Sequence, residues 1–413
     1  MIDHTRFLSE AGRKMQQSEI RKMGTLLAET RDVVSFAPGY PDPTTFASRE
    51  FADIATQLLL GGDSHVLQYL PTRGHKPLLE AIIGILSARG VATTLENLLV
   101  TTGSQQGLDL LARILLNPGD VVLVELPSYT GAITAFRNVQ ARLVGVRQEA
   151  DGLALDDLEQ VTARLAAEGR KPRVLYVVPN FQNPTGLLIG REKRARLLEW
   201  AARHDALIIE DDPYCDLYFE DAATAADTRP IKADDTEDRV IYLSSFSKTL
   251  APGFRVAWMA APAVLAAHIE IAKQAADLCT AALPQHMIYE ACRRGLLDRQ
   301  VPILRRHYQH KRDVMERALR EAFGATLTWP APRGGFFLWA SLPEGIDAER
   351  MLPLAVRHGV IYVSGSAFFV DGTGANFMRL TFATPPPERI VEGVKRLAAA
   401  VQEALSTETA ARS

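Results

Sequence analysis

Cysteine is scarce in this chain. Its 413 residues include three, Cys215, Cys279 and Cys292, far apart and odd in number. That argues against a disulfide framework and suits a reducing compartment. An excess of charge of one sign is lacking too: 46 Lys and Arg face 49 Asp and Glu, a net charge of −3. Nothing in that balance calls for nucleic acid or an anionic membrane as partner. No apolar run approaches the ~20 residues that cross a bilayer. Residues 1–14 are polar and charged, without the apolar segment of a secretory signal. No repeat, low-complexity tract or helix-turn-helix module is found. His307 and His310 have a spacing that could serve a metal, but Arg305, Arg306, Lys311 and Arg312 surround them. Cationic neighbours oppose a metal ion, so a solvated helix face is expected there. Together these absences predict a cytoplasmic protein.

What is present is ordinary globular composition, 47% hydrophobic and 23% charged. The length exceeds the ~250–300 residues at which one core stops growing, so more than one domain is expected. Apolar spacing predicts helices over residues 18–29, 51–60, 77–88, 262–276, 284–293, 300–323 and 388–405. Short β-branched runs predict strands at 98–102, 121–126, 174–178, 206–209, 240–243 and 256–260. Strand and helix alternate through the centre, which predicts an α/β fold with a mostly parallel sheet and sites at strand carboxyl ends. Residues 327–340, 360–363 and 377–382 read as strands of a smaller α+β unit, 220–239 as a solvated loop and 407–413 as a frayed tail. The expected division is 1–45 (helix and loop of the smaller domain), 46–298 (large α/β domain) and 299–413 (small α+β domain).

The stretch around which the rest is organised is residues 244–260, SSFSKTLAPGFRVAWMA. Lys248 sits among Ser244, Ser245 and Ser247, and Arg255 follows a Pro-Gly break. An amine there can condense with a carbonyl, while hydroxyls and a guanidinium neutralise a phosphate; the plainer reading is a lysine reaching water from a turn. Upstream, a short strand runs into Gly103-Ser104-Gln105 and then a helix. Unpaired N–H groups and the dipole at such a terminus favour an anion, although Ser104 as a simple N-cap also fits. Tyr129 ends the 121–126 strand, where an aromatic ring can stack on a flat heterocycle. Asn183 precedes Pro184 and is held out of the helical region, so its amide can donate into a pocket; Asn-Pro-x-Gly is turn chemistry as well.

The strand beginning at Ala206 ends in Glu210-Asp211-Asp212, with Tyr214 three positions past Asp211. A carboxylate at that end can pair with a protonated ring nitrogen. Three adjacent strand residues alternate faces, which opposes a metal reading. Arg379 lies inside an apolar strand, where an unpaired cation is costly, so it needs an anion: a structural carboxylate or a substrate's. Gly39, in the Gly/Pro-rich loop 33–43, brings bare backbone near a ligand. Arg21 and Tyr69 read on their own as a solvated helix arginine and a packing tyrosine.

Ser-Phe-Ser-Lys-x-Leu-x-Pro-Gly-x-Arg at 245–255 resembles the cofactor-lysine motif of class I/II aminotransferases, pyridoxal-phosphate enzymes of fold type I. The chain is most similar to the branch that contains 2-aminoadipate aminotransferases, with matches from Arg21 to Arg379; Ala257 departs from a frequent glycine. The resemblance implies pyridoxal 5′-phosphate joined to Lys248, with Asp211 on its ring nitrogen, Asn183 and Tyr214 on its phenolate and Tyr129 stacked. It implies phosphate contacts from Gly103, Ser104, Gln105, Ser245 and Arg255, and from Tyr69 of a second copy in a homodimer with shared sites. Arg379 would hold the α-carboxylate, beside Gly39 and Asn183, and Arg21 a side-chain carboxylate. The implied reaction moves an amino group between an L-amino acid and a 2-oxo acid, 2-oxoglutarate among them. Elimination, cyclisation or oxidation would use the same cofactor residues. A cofactor-binding regulatory domain would need a DNA-binding module, for which the ~20 residues ahead of the first match are too short.

Overall fold

The computed structural model describes residues 2–15, 32–62 and 64–412. After a short helix α1 (Glu10–Lys14) and strand β1 (Val34–Ser35) come α2 (Ser48–Leu60) and α3 (Lys76–Ala88). Alternation then begins: β2 (Leu98–Thr102), α4 (Ser104–Leu115), β3 (Val121–Leu126), α5 (Thr130–Asn138), β4 (Arg142–Glu149), β5 (Gly152–Leu153) and α6 (Leu155–Ala167). It continues with β6 (Pro172–Val177), α7 (Arg191–His204), β7 (Leu207–Asp211), β8 (Val240–Ser245) and β9 (Val256–Ala260). Helices α8 (Ala263–Asp277), α9 (Ala282–Arg293) and the 28-residue α10 (Leu296–Phe323) follow. The last elements are β10 (Phe337–Ser341), α11 (Ala348–Arg357), β11 (Val360–Ile361), β12 (Val363–Ser364), β13 (Phe377–Thr381) and α12 (Pro387–Arg412).

Eight strands form the central sheet in the order β2-β9-β8-β7-β6-β3-β4-β5. Strands β8, β7, β6, β3 and β4 are parallel to their neighbours; β9 runs against both β8 and β2, and β5 against β4. Strands β8 and β9 and most of β2, β3, β6 and β7 are buried, and runs such as Val121–Leu126 are apolar almost throughout. That is the signature of a parallel sheet covered on both faces. Leu108, Leu111, Phe136 and Ile269 from α4, α5 and α8 join one hydrophobic cluster, while Leu158, Leu197 and Trp200 from α6 and α7 join another.

A second unit gathers the two ends of the described chain. β1 pairs in parallel with β11, so residues 34–35 lie beside 360–361. β13 stands between β10 and β12, antiparallel to both, with Arg379 opposite Trp339 and Val363. Ile390, Val394, Leu397 and Val401 of α12 are buried in the same core as Tyr308, Met315 and Leu319 of α10.

Four expectations are corrected. The strand anticipated over 327–340 is confined to Phe337–Ser341, because Pro330, Pro332 and the Gly334–Gly335 pair cannot sustain a ladder. The 360–363 run divides into two short strands belonging to different sheets. Helix α12 runs on to Arg412 where a frayed tail was anticipated; the terminal alanines and glutamate are good helix formers. The 220–239 loop is only partly solvated. Ile231 and Thr228 are buried, and the N–H groups of Ile231 and Lys232 donate to the Glu210 carboxylate at 2.8 and 2.9 Å. A buried carboxylate must be satisfied, and here it captures the loop backbone. The helix anticipated at 18–29 lies outside the described residues.

Candidate active site

The carboxyl ends of β2, β3, β6, β7 and β8 open on one rim of the central sheet. The segments leaving them carry Ser104, Tyr129, Asn183, Asp211 with Tyr214, and Lys248 in turn. Arg255 belongs to the same rim for a different reason: it precedes β9, whose reversed direction brings its amino end there. A cavity of about 270 Å³ is lined by Gly39, Ser104, Gln105, Tyr129, Asn183, Asp211, Tyr214, Ser245, Lys248, Arg255 and Arg379. A wider cleft of about 910 Å³ is lined by none of these residues, so size alone does not mark the site.

Lys248 follows β8 in a turn, and its Nζ donates to the Gly39 carbonyl at 3.0 Å. Its amine is 5.7 Å from the Tyr214 ring centre and 5.6 Å from that of Phe336. Burial, with Arg379 and Arg255 near by, lowers the ammonium pKa to about 8 despite the opposing charge of Asp211. A group that sheds its proton this readily is a nucleophile and a base near neutral pH.

Asp211 is 3% exposed at the end of β7. Its Oδ2 accepts from the Tyr176 hydroxyl at 2.8 Å, whereas Oδ1 is buried and has no hydrogen-bond partner among the described residues. Burial raises the carboxyl pKa to about 6. A buried half-satisfied carboxylate is costly unless a cationic N–H completes it.

At the opposite end of the site the backbone is shaped around Arg255. Gly103 has φ of 78°, and a Cβ there would fall 1.9 Å from Arg255 Nη2. Only glycine lets the guanidinium lie over this corner. Gly103, and not Ser104, is the N-cap of α4, so Ser104 sits in the first turn with its hydroxyl free of that duty. Arg255 itself takes the left-handed conformation, φ 53°. It approaches the carbonyls of Pro252 and Thr102 at 3.4 and 3.5 Å and forms no ion pair among the described residues. Gln105 Nε2 donates to the Gly131 carbonyl, and Ser245 Oγ accepts from the Ser247 N–H. Burial raises the Tyr129 hydroxyl to about 12 and pushes Tyr214 up further, so both remain protonated donors.

Arg379 closes the cavity from the second unit. It is 1% exposed, and its guanidinium carbon lies 4.4 Å from the Phe337 ring centre and 5.1 Å from that of Phe368. Nη1 donates to Asn183 Oδ1 at 2.7 Å, Nη2 donates to the Ala37 carbonyl, and Nε is buried without a partner. Burial lowers its pKa to about 10. No carboxylate pairs with it among the described residues, so the structural salt bridge left open by the sequence is not formed. The cation is held by neutral acceptors and awaits an anion.

Of the remaining expectations, Tyr69 lies outside the cavity, 77% exposed on its own chain. Arg21 lies outside the described residues. The three adjacent carboxylates disperse, as alternation requires: Glu210 to the 231–232 backbone, Asp211 to Tyr176, and Asp212 to Asn180 and Tyr242. The basic face of α10 is corrected. His307 Nε2 is 2.9 Å and Lys311 Nζ 2.7 Å from Asp42 Oδ2, Lys311 is fully buried, and Arg312 is 5% exposed. His307 and Lys311 anchor the 33–43 loop, because its Asp42 carboxylate draws them inward, whereas Arg312 bonds Asp221 and the Pro332 carbonyl; Arg306 and His310 stay exposed, as expected. Sequence reasoning missed Tyr176, which looks like an ordinary strand residue, and Phe337 and Phe368, whose meeting under Arg379 no spacing announces. Tyr40, also on the cavity wall, carried no signal beyond its place after Gly39.

Comparison with known proteins matches residues 35–397 to the family described as aminotransferase class I and II. The chain belongs to that family. It is 41% identical over 403 residues to aromatic-amino-acid aminotransferase 1 of Thermococcus litoralis, covering 97% of this chain and 95% of that one. It is 38% identical over 396 residues to the 2-aminoadipate transaminase of Thermus thermophilus, covering 96% of each. The structure of Pyrococcus horikoshii kynurenine aminotransferase in complex with PMP superposes with a TM-score of 0.93 at 39% identity, over 98% of each chain. This aminotransferase is thus a pyridoxal-phosphate-dependent transaminase of fold type I. Its own residues fit that cofactor: an unfilled carboxylate oxygen on Asp211 suits a protonated ring nitrogen, and the Gly103–Arg255 corner suits a phosphate.

Proposed function

We propose that the enzyme transfers the amino group of an L-amino acid to a 2-oxo acid, with 2-oxoglutarate as one acceptor, through a site that two copies of the chain complete. The observation that carries this reading is Arg379, a buried guanidinium without an acidic partner among the described residues, facing the same small cavity as a lysine of lowered pKa. Bound between Asp211 and Arg255, pyridoxal phosphate supplies an aldehyde for the amine and a ring that stabilises negative charge at the substrate Cα. Lys248 holds the cofactor at rest. With a substrate bound, the freed Lys248 amine would be placed to take the Cα proton and to give it back, as the reaction's base and then its acid. Arg379 holds the substrate carboxylate bidentately and so fixes which Cα bond faces the ring. Asp211 would keep the ring nitrogen protonated, Asn183 and Tyr214 would serve the phenolate, and Tyr129 would pack against the ring. Ser104, Gln105, Ser245 and Arg255 hold the phosphate.

Tyr69 is assigned to the phosphate of the second copy. It stands 77% exposed beside Leu67 at 71%, large apolar groups that a partner would cover. The proposed domain division at residues 45 and 298 draws support from the pairing of β1 with β11, which joins residues 34–35 to the smaller unit. The three cysteines are unpaired, in keeping with the cytoplasm, and no helix of the described residues is long and apolar enough to cross a membrane. The deciding experiment offers the cofactor-loaded enzyme a panel of L-amino acids and identifies the products by mass spectrometry. The expected product is the matching 2-oxo acid, with glutamate formed from 2-oxoglutarate. Dehydrated or cyclised products would instead establish elimination or cyclisation.

A further inference from the structure

Glu125 is a buried acid that the mechanism above does not use. It lies at the end of β3, 0% exposed, and all three hydrogen bonds to it come from donors. Gln148 Nε2 reaches its Oε1 at 2.9 Å, and the Val178 N–H and Gln182 Nε2 reach its Oε2 at 2.9 and 3.0 Å. Gln182 is thereby a hub. The same Nε2 donates to the Pro127 carbonyl at 2.9 Å, and its Oε1 accepts from the Thr185 N–H and hydroxyl at 3.1 and 2.6 Å. Two segments that line the cavity are thus tied to one carboxylate, 126–129 leading to Tyr129 and 178–185 carrying Asn183. Both converge on the same cation. Asn183 Oδ1 accepts from Arg379, and the Ser128 N–H donates to the carbonyl of Phe368, whose ring lies against Arg379.

We propose that Glu125 is a positioning residue for the amino-acid carboxylate, acting through Gln182 to set where Asn183 and Phe368 hold the Arg379 guanidinium. The inference rests on the assignment of Arg379 to the substrate carboxylate. A carboxylate is the one acidic form that can accept from all three donors; a protonated carboxyl must donate one bond. Among its neighbours the group placed to accept it is Gln148, whose Oε1 is buried without a partner among the described residues and whose amide would have to turn over. With the proton on the Gln148 side, Oε2 becomes a neutral carbonyl that still accepts from Val178 and Gln182 but without charge assistance, so the tie to both segments weakens without destroying the core. Burial pushes the Glu125 carboxyl up to about 7, so the exchange falls within an accessible pH range. Tyr176 of β6 is the titratable group facing it, and it stays protonated because burial raises it strongly. On β4, Arg147 is paired with Asp157 and Glu149 with Lys193, away from Glu125.

The test uses the cofactor-loaded enzyme and a non-reacting α-methyl amino acid, whose dissociation constant is read from the change in cofactor absorbance between pH 5.5 and 9. In the native enzyme, affinity should weaken as pH falls through about 7. Glu125→Gln, which fixes the neutral form, should weaken affinity by ~10-fold or more at pH 8 and abolish that limb, with cofactor affinity changed less than about twofold. Gln182→Met, which keeps the acid but cuts its link to Pro127 and Thr185, should weaken the analogue similarly, and it decides the matter if Glu125→Gln does not fold. Unchanged analogue affinity in both variants, or an intact limb in Glu125→Gln, overturns the proposal. Arg379→Ala separates the two levels. If it leaves analogue affinity intact, the carboxylate assignment fails; if it weakens affinity and the other two variants do not, only the role of Glu125 fails.

Discussion

Lys248 and Arg379 show how burial is turned into chemistry at the scale of single residues. The same desolvation that costs free energy lowers the proton affinity of both cations. The sign of the consequence differs. For Lys248, the amine is neutral and nucleophilic above about pH 8 and increasingly protonated below it. Covalent capture of pyridoxal phosphate by the apoenzyme should therefore slow by about tenfold per pH unit below that point, as stopped-flow absorbance would measure. Lys248→Ala should lose turnover entirely while still binding cofactor noncovalently; normal turnover in that variant would remove Lys248 from the mechanism. For Arg379, the guanidinium stays charged throughout, so the expected effect is on binding. Arg379→Ala should raise the KM for the amino acid by ~10–100-fold through loss of a charge-assisted pair, and spare cofactor affinity. Arg379→Lys should rescue little, since an ammonium lacks the planar fork.

At the scale of elements, the loop 33–43 is held to α10 by an ion cluster as well as by apolar packing of Val34, Phe36 and Ala37. The Asp42 backbone N–H donates to the Tyr308 hydroxyl oxygen at 3.0 Å, while its carboxylate takes Lys311, His307 and Thr44. Burial pushes this acid up, but hydrogen bonds from Lys311, Thr44 and His307 prevail and hold it at about 2. A depressed acid stabilises the fold above its ordinary value of 3.8, and that contribution is lost as pH falls through about 2. The anchor is therefore constant across the working range. Lys311→Met leaves a buried carboxylate short of its main partner and should cost ~3 kcal/mol in chemical denaturation. Because Gly39 lies three residues before Asp42 and its carbonyl accepts from Lys248, amino-acid affinity should fall as well. A variant with unaltered stability would show that the cluster is ornamental.

At the scale of the molecule, the proposed second copy supplies Tyr69 to the phosphate end of the site. Tyr69→Phe should weaken cofactor retention by several-fold, since one hydrogen bond to a charged group contributes ~1.5–3 kcal/mol. Sedimentation should find a dimer for the native chain and for this variant. If Tyr69→Phe loses no cofactor on dialysis, the shared site is refuted.

The order of motifs along the chain made the family legible before any coordinates: the glycine corner, Tyr129, Asn-Pro, Asp-x-x-Tyr, Ser-x-Ser-Lys and the late arginine. Local chemistry is enough for these, because a turn, a strand end or a buried charge each leaves a mark within a few residues. The parallel core was legible for the same reason, in continuous apolar runs such as 121–126. Partnership was not. The sequence alone could not say whether Arg379 had a carboxylate, that Tyr176 would bond one oxygen of Asp211 and not the other, or that His307 and Lys311 of α10 would turn inward to Asp42. Those outcomes depend on contacts between residues as far apart as positions 42 and 311 or 183 and 379. Such contacts depend on chain geometry that no local pattern encodes, so it is packing that decides which buried charges are satisfied and which are left for a ligand.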